Sequence, residues 1–202
     1  MARLSLTKAS LSKQKRQLKT FEGVLPSLDL KRRQLSAEQG KARQVLAQTQ
    51  KQLEAIEPEI AREIPMLSNE LVDLTDIVKV IGVELVEENV MGTRLPKLNK
   101  METEVREYAL LGKPFWVDRL VELLKLALET KIKVQVAQQR LKLLDRAERI
   151  VTQRFNLFDK VLIPQTKANI KKIQIYLADA ERAGVVNSKL AKRKKQKEVG
   201  VV

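Results

Sequence analysis

The sequence predicts a mainly α-helical protein: a long antiparallel two-helix coiled coil, a helical hairpin, with a small β-hairpin and short helix inserted at the bend. Three observations carry this. Apolar residues recur every seven positions through the first sixty residues. Helical apolar spacing returns from Phe115 to about Ala183. Most of the seven glycines and six prolines fall near the middle, between the two stretches. Aromatic residues make up 3% of the chain and charged residues 32%, which suits a narrow buried stripe better than a thick core.

The first arm covers residues 1–60. Leu4, Leu11, Leu18 and Leu25 stand seven apart, and the phase recovers at Leu46, Leu53 and Ile60. Three positions on, Phe21, Leu28, Leu35, Ala42 and Ile56 form a companion row. Such a repeat keeps one seam turned to a partner helix over many turns. Arg32 and Gln39 interrupt the first row, and Thr7, Gln14 and Thr49 the second. Gly23 and Pro26 threaten the helix itself, because an interior proline costs roughly 3 kcal/mol and usually kinks it. One bent helix is expected rather than two. At ~1.5 Å per residue it reaches about 90 Å, too long to fold into a ball alone.

The insert covers residues 61–114. In "VKVIGVELVEENVMGTRLPKL", Ile81, Val83 and Leu85 alternate with Gly82 and Glu84, as in a half-buried strand, and "NVMG" supplies turn chemistry. A short helix is expected near Met66–Ile77. The second arm, residues 115–184, carries Leu120, Leu124 and Ala127, then Leu144, Ala147, Val151, Phe155, Phe158 and Leu162. Ile170, Ile173, Leu177 and Ala180 complete the stripe. Trp116, beside Phe115, anchors its start. Residues 185–202 form a basic tail, "SKLAKRKKQK" at its centre, expected to fray in isolation.

Composition removes whole classes of chemistry. The chain has no cysteine and no histidine, so disulfides, thiolate sites, zinc–imidazole sites and serine–histidine catalysis are excluded. "LLGKP" fails as a phosphate-binding loop, with Glu107 in place of the first glycine and Pro114 in place of the hydroxyl. Glu84, Glu87 and Glu88 read as a solvated acidic edge rather than a cation site. Met66, Met91 and Met101 read as gap fillers. No cofactor, metal site or catalytic residue is therefore expected. No stretch approaches the ~18–20 uncharged apolar residues of a membrane span, and Arg3 and Lys8 argue against a signal peptide. The expectation is a soluble chain that meets a membrane only through a partner.

The net charge of +14 is uneven. Residues 1–60 hold 12 basic and 6 acidic side chains, a net +6; residues 61–114 hold 7 and 10, a net −3; residues 115–202 hold 20 and 9, a net +11. Two basic arms flanking an acidic middle suit an anionic partner, whether nucleic acid, lipid surface or protein. The tail lysines suit phosphates, yet no aromatic side chain stands near them to stack on bases.

Two stretches add what periodicity does not. "ENVMGTRLPKL" (residues 88–98) and "TQRFNLFDKVLIP" (residues 152–164) resemble the D-subunit family of V-type and archaeal-type rotary ATPases. The second follows that family's T-x-R-x-N and V-x-I-P pattern; the first follows its N-V-x-G, basic, apolar, proline order. "LDLKRRQL" and "LADAERAG" are similar to its first-helix and closing segments. Gly23 and Pro26, and Phe155, Leu157 and Phe158 in place of smaller or aliphatic residues, depart from it. The resemblance implies a non-catalytic central rotor shaft that carries torque between a nucleotide-hydrolysing ring and a membrane ion-translocating ring. It implies as partners the catalytic and non-catalytic ring subunits, a small globular F subunit and a funnel-shaped adaptor. It places the chain in the cytoplasm, peripheral to the membrane, and gives no role to nucleic acid. Alternatives on composition alone are a basic coiled-coil protein of nucleic acid or the ribosome, and a prefoldin-like helical chaperone.

Within that reading, the apolar members of residues 152–164 continue the stripe. Thr152, Arg154, Asn156, Asp159 and Pro164 are the expected partner contacts, with Asn89, Gly92, Arg94 and Pro96 from the insert. Pro164 deprives the Lys160 carbonyl of its amide partner, and a bend within one long helix is expected there.

Overall fold

The computed structural model describes residues 4–65, 77–106 and 116–199, with residues 197–199 described by their backbone alone. Its order is helix α1 (Lys8–Glu63), strands β1 (Val78–Val90) and β2 (Thr93–Val105), helix α2 (Trp116–Leu157), a π-helical turn (Phe158–Leu162) and helix α3 (Ile163–Val199). The short helix expected near Met66–Ile77 falls, except for Ile77, outside the described residues, as do Phe115 and the Gly-Lys pair of "LLGKP".

The chain divides into two compact units. One comprises Met1–Leu30 with Val151–Val202, the other Lys31–Ile150. In the second unit, α1 and α2 run antiparallel. Gln39 donates to Asp145 at one level, and Arg119 reaches Glu63 and Glu59 at another. The buried residues of α1 are Leu35, Ala42, Thr49 and Ile56, each seven from the next. Thr49 therefore does not break the seam. Its hydroxyl donates to the Val45 carbonyl at 2.7 Å, so a polar side chain enters an apolar row without an unmet hydrogen bond. Gln39 also keeps its seam position, by bonding across to α2. Thr7 lies outside the helix as its N-cap, accepting from the Ser10 amide at 3.2 Å.

α1 is one helix through Gly23, Pro26 and Pro58. Both prolines are exposed. On an exposed face, water can serve the carbonyl that each proline leaves without an amide.

The core of the second unit gathers where α1 ends, the hairpin begins and α2 starts. Ile64, Ile77, Trp116, Val117, Leu120, Val121 and Leu123 bury one another, with Ile60, Val78, Val105 and Leu124 at the margin. Trp116 does anchor the start of α2. At the hairpin base, the Arg106 amide donates to the Ile77 carbonyl at 2.9 Å.

β1 and β2 pair antiparallel from Val78–Val105 to Val90–Thr93. Met91 and Gly92 form the two-residue turn with φ of 52° and 79°. Both angles are positive, as a hairpin turn that follows the strand twist requires. The register shifts twice, between Val80 and Gly82 and between Glu84 and Leu85, placing one extra residue on each strand. The alternating face does not bury as expected: Ile81 is 65% exposed, and Val83, Leu85 and Val86 are also open. Two strands alone cannot cover both their faces, and of the two strands' residues only Leu95 is fully buried.

In the first unit, the N-terminal part of α1 runs antiparallel to α3. Lys8 pairs with Glu181 at 3.7 Å, and Glu22 with Lys167 at 3.0 Å. The helical backbone continues through Pro164, in agreement with a continuous helix there. The turn just before it is π rather than α: the Ile163 amide donates to the Phe158 carbonyl, five residues back. α3 stays helical to Val199, through the basic segment.

Candidate partner interface

The residues singled out in 152–164 lie together in the first unit. Val151 is buried; Phe155, Phe158 and Leu162 are half-buried, continuing the stripe. The Phe158 ring meets Phe21 of α1 edge to face, with centroids 5.4 Å apart and planes at 81°. Thr152 and Asn156 are half-buried, whereas Arg154, Asp159 and Pro164 are exposed. Leu157 and Val161 are also open, so the exposed surface of this stretch mixes charged and apolar groups. Spacing alone separates the inward set from the outward set. The π-turn escapes a reading by steps of three and four.

The insert residues fall in the second unit and divide by task. Asn89 accepts the Gly92 amide at 2.9 Å, so these two build the turn. Arg94 pairs across the strands with Glu87 at 3.6 Å, and both are exposed. Pro96 is half-buried and stands in the wall of a cleft. It can sit within a strand because a two-stranded ribbon leaves every second amide unpaired.

That cleft, of about 410 Å³, lies between α1, α2 and β2. Ala42, Val45, Val136 and Ala137 form its apolar floor, and Lys41, Lys97, Lys133 and Arg140 bring cationic groups to it. Arg140 also holds the hairpin, donating to Glu88 at 2.8 Å. That bond holds the Glu88 carboxyl below its usual range, and the Arg140 charge adds to the effect. No sequence spacing marks the cleft, because it depends on how the hairpin folds back over the helix pair.

The acidic edge is engaged within the chain. Glu84 accepts from Asn99 at 3.0 Å, Glu87 pairs with Arg94 and Glu88 with Arg140. Among the described residues, no group of three acidic side chains is gathered as a metal would require.

A second charged cluster closes the helix pair near the core. Arg119 donates to Glu63 at 2.8 Å and to Glu122 at 2.9 Å, and lies 4.0 Å from Glu59. The bond from Arg119 holds the Glu63 carboxyl below its ordinary pKa. In return Glu63 and then Glu122 raise that of the guanidinium. All of these groups face solvent, so they set register more than stability.

Chemically, the described residues present antiparallel helix surfaces, a hairpin brace and charged rims. Among them no helix is long and apolar enough to cross a membrane. A family model for the D subunit of ATP synthase matches residues 10–193. The D subunit of the V-type ATP synthase of Borreliella burgdorferi is 37% identical over 192 residues, covering 95% of each chain. The protein of the same description from Chlamydia muridarum is 35% identical over 199 residues, covering 96% of this chain and 97% of that one. The one from Chlamydia pneumoniae is 32% identical over 195 residues, covering 95% and 92%.

Proposed function

The chain belongs to the ATP synthase D-subunit family, and from that premise we propose that it is the central rotor shaft of a V/A-type rotary ATPase. It is a non-catalytic subunit that works among other subunits of the complex. The observation that carries this reading is a family match over nearly the whole chain, on a pair of antiparallel helices braced by a hairpin.

The mechanism follows from the seam. A twisting load on one helix passes to the other through interdigitated side chains and cross-helix polar bonds. Gln39–Asp145, Arg119–Glu63 and Lys167–Glu22 oppose sliding. The Glu88–Arg140 bond ties the hairpin to the same pair.

The division of labour is residues 1–60 and 115–184 as the shaft, 61–114 as the insert and 185–202 as a basic tail. The basic arms turn inside the ring of catalytic and non-catalytic subunits, where their net +6 and +11 meet acidic or polar walls. A small globular stalk protein, the F subunit, and a funnel-shaped adaptor dock nearer the insert. Contacts come from Thr152, Arg154, Asn156, Asp159 and Pro164, and from Asn89, Gly92, Arg94 and Pro96. The chain works in the cytoplasm and reaches the membrane only through the adaptor.

Co-expression with neighbouring open reading frames, followed by pull-down, tests the proposal. Recovery of a small globular partner with a nucleotide-hydrolysing ring is expected. A stable homo-oligomer without those partners would sink it.

A further inference from the structure

α1 keeps an unbroken seven-residue rhythm. From Leu11 to Ile60, every residue in its two seam rows is buried or half-buried, Arg32 and Gln39 included. α2 keeps the same rhythm. One row is Trp116, Leu123, Thr130, Ala137, Leu144, Val151 and Phe158; the other is Leu120, Ala127, Val134, Leu141, Glu148 and Phe155. Past the π-turn the rhythm resumes one residue late. After Phe158 the first row continues at Thr166 and Ile173; after Phe155 the second continues at Ile163, Ile170 and Leu177. Both rows take a single step of eight, and both take it across the same five residues. Uninterrupted sevens would have put Leu162, Gln165, Asn169, Lys172, Tyr176 and Asp179 in the seam. Leu162 and Asn169 are half-buried, the other four are exposed and none is buried, whereas Ile163, Thr166 and Ile173 are buried.

We infer that Phe158–Leu162 houses a one-residue skip, and that the π-turn exists to absorb it so that α3 keeps the phase of its stripe. In a regular α-helix one extra residue rotates everything beyond it by about 100°. That rotation would carry Ile163, Thr166 and Ile173 out of the seam. A π-type hydrogen bond spans five residues instead of four, so the additional residue is taken up inside one turn. The Ile163–Phe158 bond is of that kind. The edge-to-face contact with Phe21 pins the last residue before the step.

Pro164 offers a competing cause, since it leaves the Lys160 carbonyl without its usual amide. Within this chain proline is not sufficient: α1 stays α-helical through Pro26 and Pro58. Proline is tolerated beside the π-turn; the skip requires the turn.

Three variants of the full chain test this. Deleting Lys160 together with Pro164→Ala restores sevens throughout and removes the proline clash. Its thermal midpoint, read by circular dichroism, is expected within about 3 °C of Pro164→Ala alone, or above it. Deleting exposed Gln44 from α1 puts that arm out of phase with nothing to absorb the change. It should lower the midpoint by roughly 10 °C or more, because each lost core side chain reads as several degrees in a chain this size. A loss on deleting Lys160 as large as that on deleting Gln44 overturns the inference. A crystal structure of the Pro164→Ala chain gives a second measurement. Retention of the Ile163–Phe158 bond supports the skip, and a fully α-helical backbone there refutes it.

Discussion

Replacing Thr49 with valine should leave stability nearly unchanged, although it deletes a hydrogen bond. The buried polar residues among those described are Thr49, Thr130 and Thr166, and all three sit at seam positions. Each hydroxyl donates to the carbonyl four residues earlier, of Val45, Leu126 and Leu162, at 2.7, 2.7 and 2.6 Å. In a helix that carbonyl already accepts the amide of the threonine itself, so removing the hydroxyl leaves no acceptor unmet. What is lost is a net ~0.5–1.5 kcal/mol of hydrogen bonding. What is gained is one more buried methyl, about 0.8 kcal/mol, since the desolvation of the hydroxyl is already inside the net figure. Threonine and valine are both β-branched, so helix propensity barely changes. Loss and gain nearly cancel, so Thr49→Val should lie within about 0.7 kcal/mol of wild type, a midpoint shift under roughly 3 °C for a chain of this length. Thr49→Ser keeps the hydroxyl, loses the methyl and should fall by about 0.8 kcal/mol. Circular dichroism at 222 nm during heating and in urea reads both. A clear loss on Thr49→Val would refute the reasoning, because the hydroxyl would then be serving a group across the seam.

Leu35→Ala removes a fully buried side chain from the same row and should cost about 2–5 kcal/mol, whereas Leu30→Ala, on the open face, should change stability by less than about 0.5 kcal/mol; urea midpoints compare them. Glu63 has a depressed pKa, so its pair with Arg119 contributes stability above the unfolded carboxylate range, lost as pH falls through the lower folded value. The stability difference between wild type and Glu63→Gln should therefore be present near pH 6 and vanish in the acid range; a constant difference would remove the Arg119 bond as its cause. Alanine at both Arg154 and Asp159 should weaken capture of the small stalk partner several-fold in a pull-down titration, and wild-type binding would exclude these side chains from that contact.

Much of this architecture is legible in the chain because a seam is periodic. Leu35, Ala42 and Ile56 announce themselves by interval alone, and Thr49 falls on the same interval despite its hydroxyl. The hairpin is legible for a local reason, since "NVMG" places glycine where φ must be positive. The π-turn is written in the spacing too. A search for steps of three and four passes over it, because Phe158, Leu162 and Thr166 are two such steps that sum to eight. What spacing cannot give is contact between elements. The bond from Arg140 to Glu88, the Arg119 cluster and the cleft at Pro96 depend on how the hairpin lies on the helices. The exposed face of Ile81, Val83 and Leu85 has the same origin: alternation marks a strand with two unlike sides, and the fold decides which side is covered.

The strict interval of α1 has a mechanical corollary. Seven residues fall slightly short of two full α-helical turns, and paired helices that keep a seven-residue seam make good the shortfall by winding left-handed around each other. Twist applied in that sense tightens the winding and presses Leu35, Ala42, Thr49 and Ile56 together. Twist in the other sense slackens it. A rotor element wound this way is chiral in its stiffness, so the rotation driven by hydrolysis and the rotation that accompanies synthesis load it unequally.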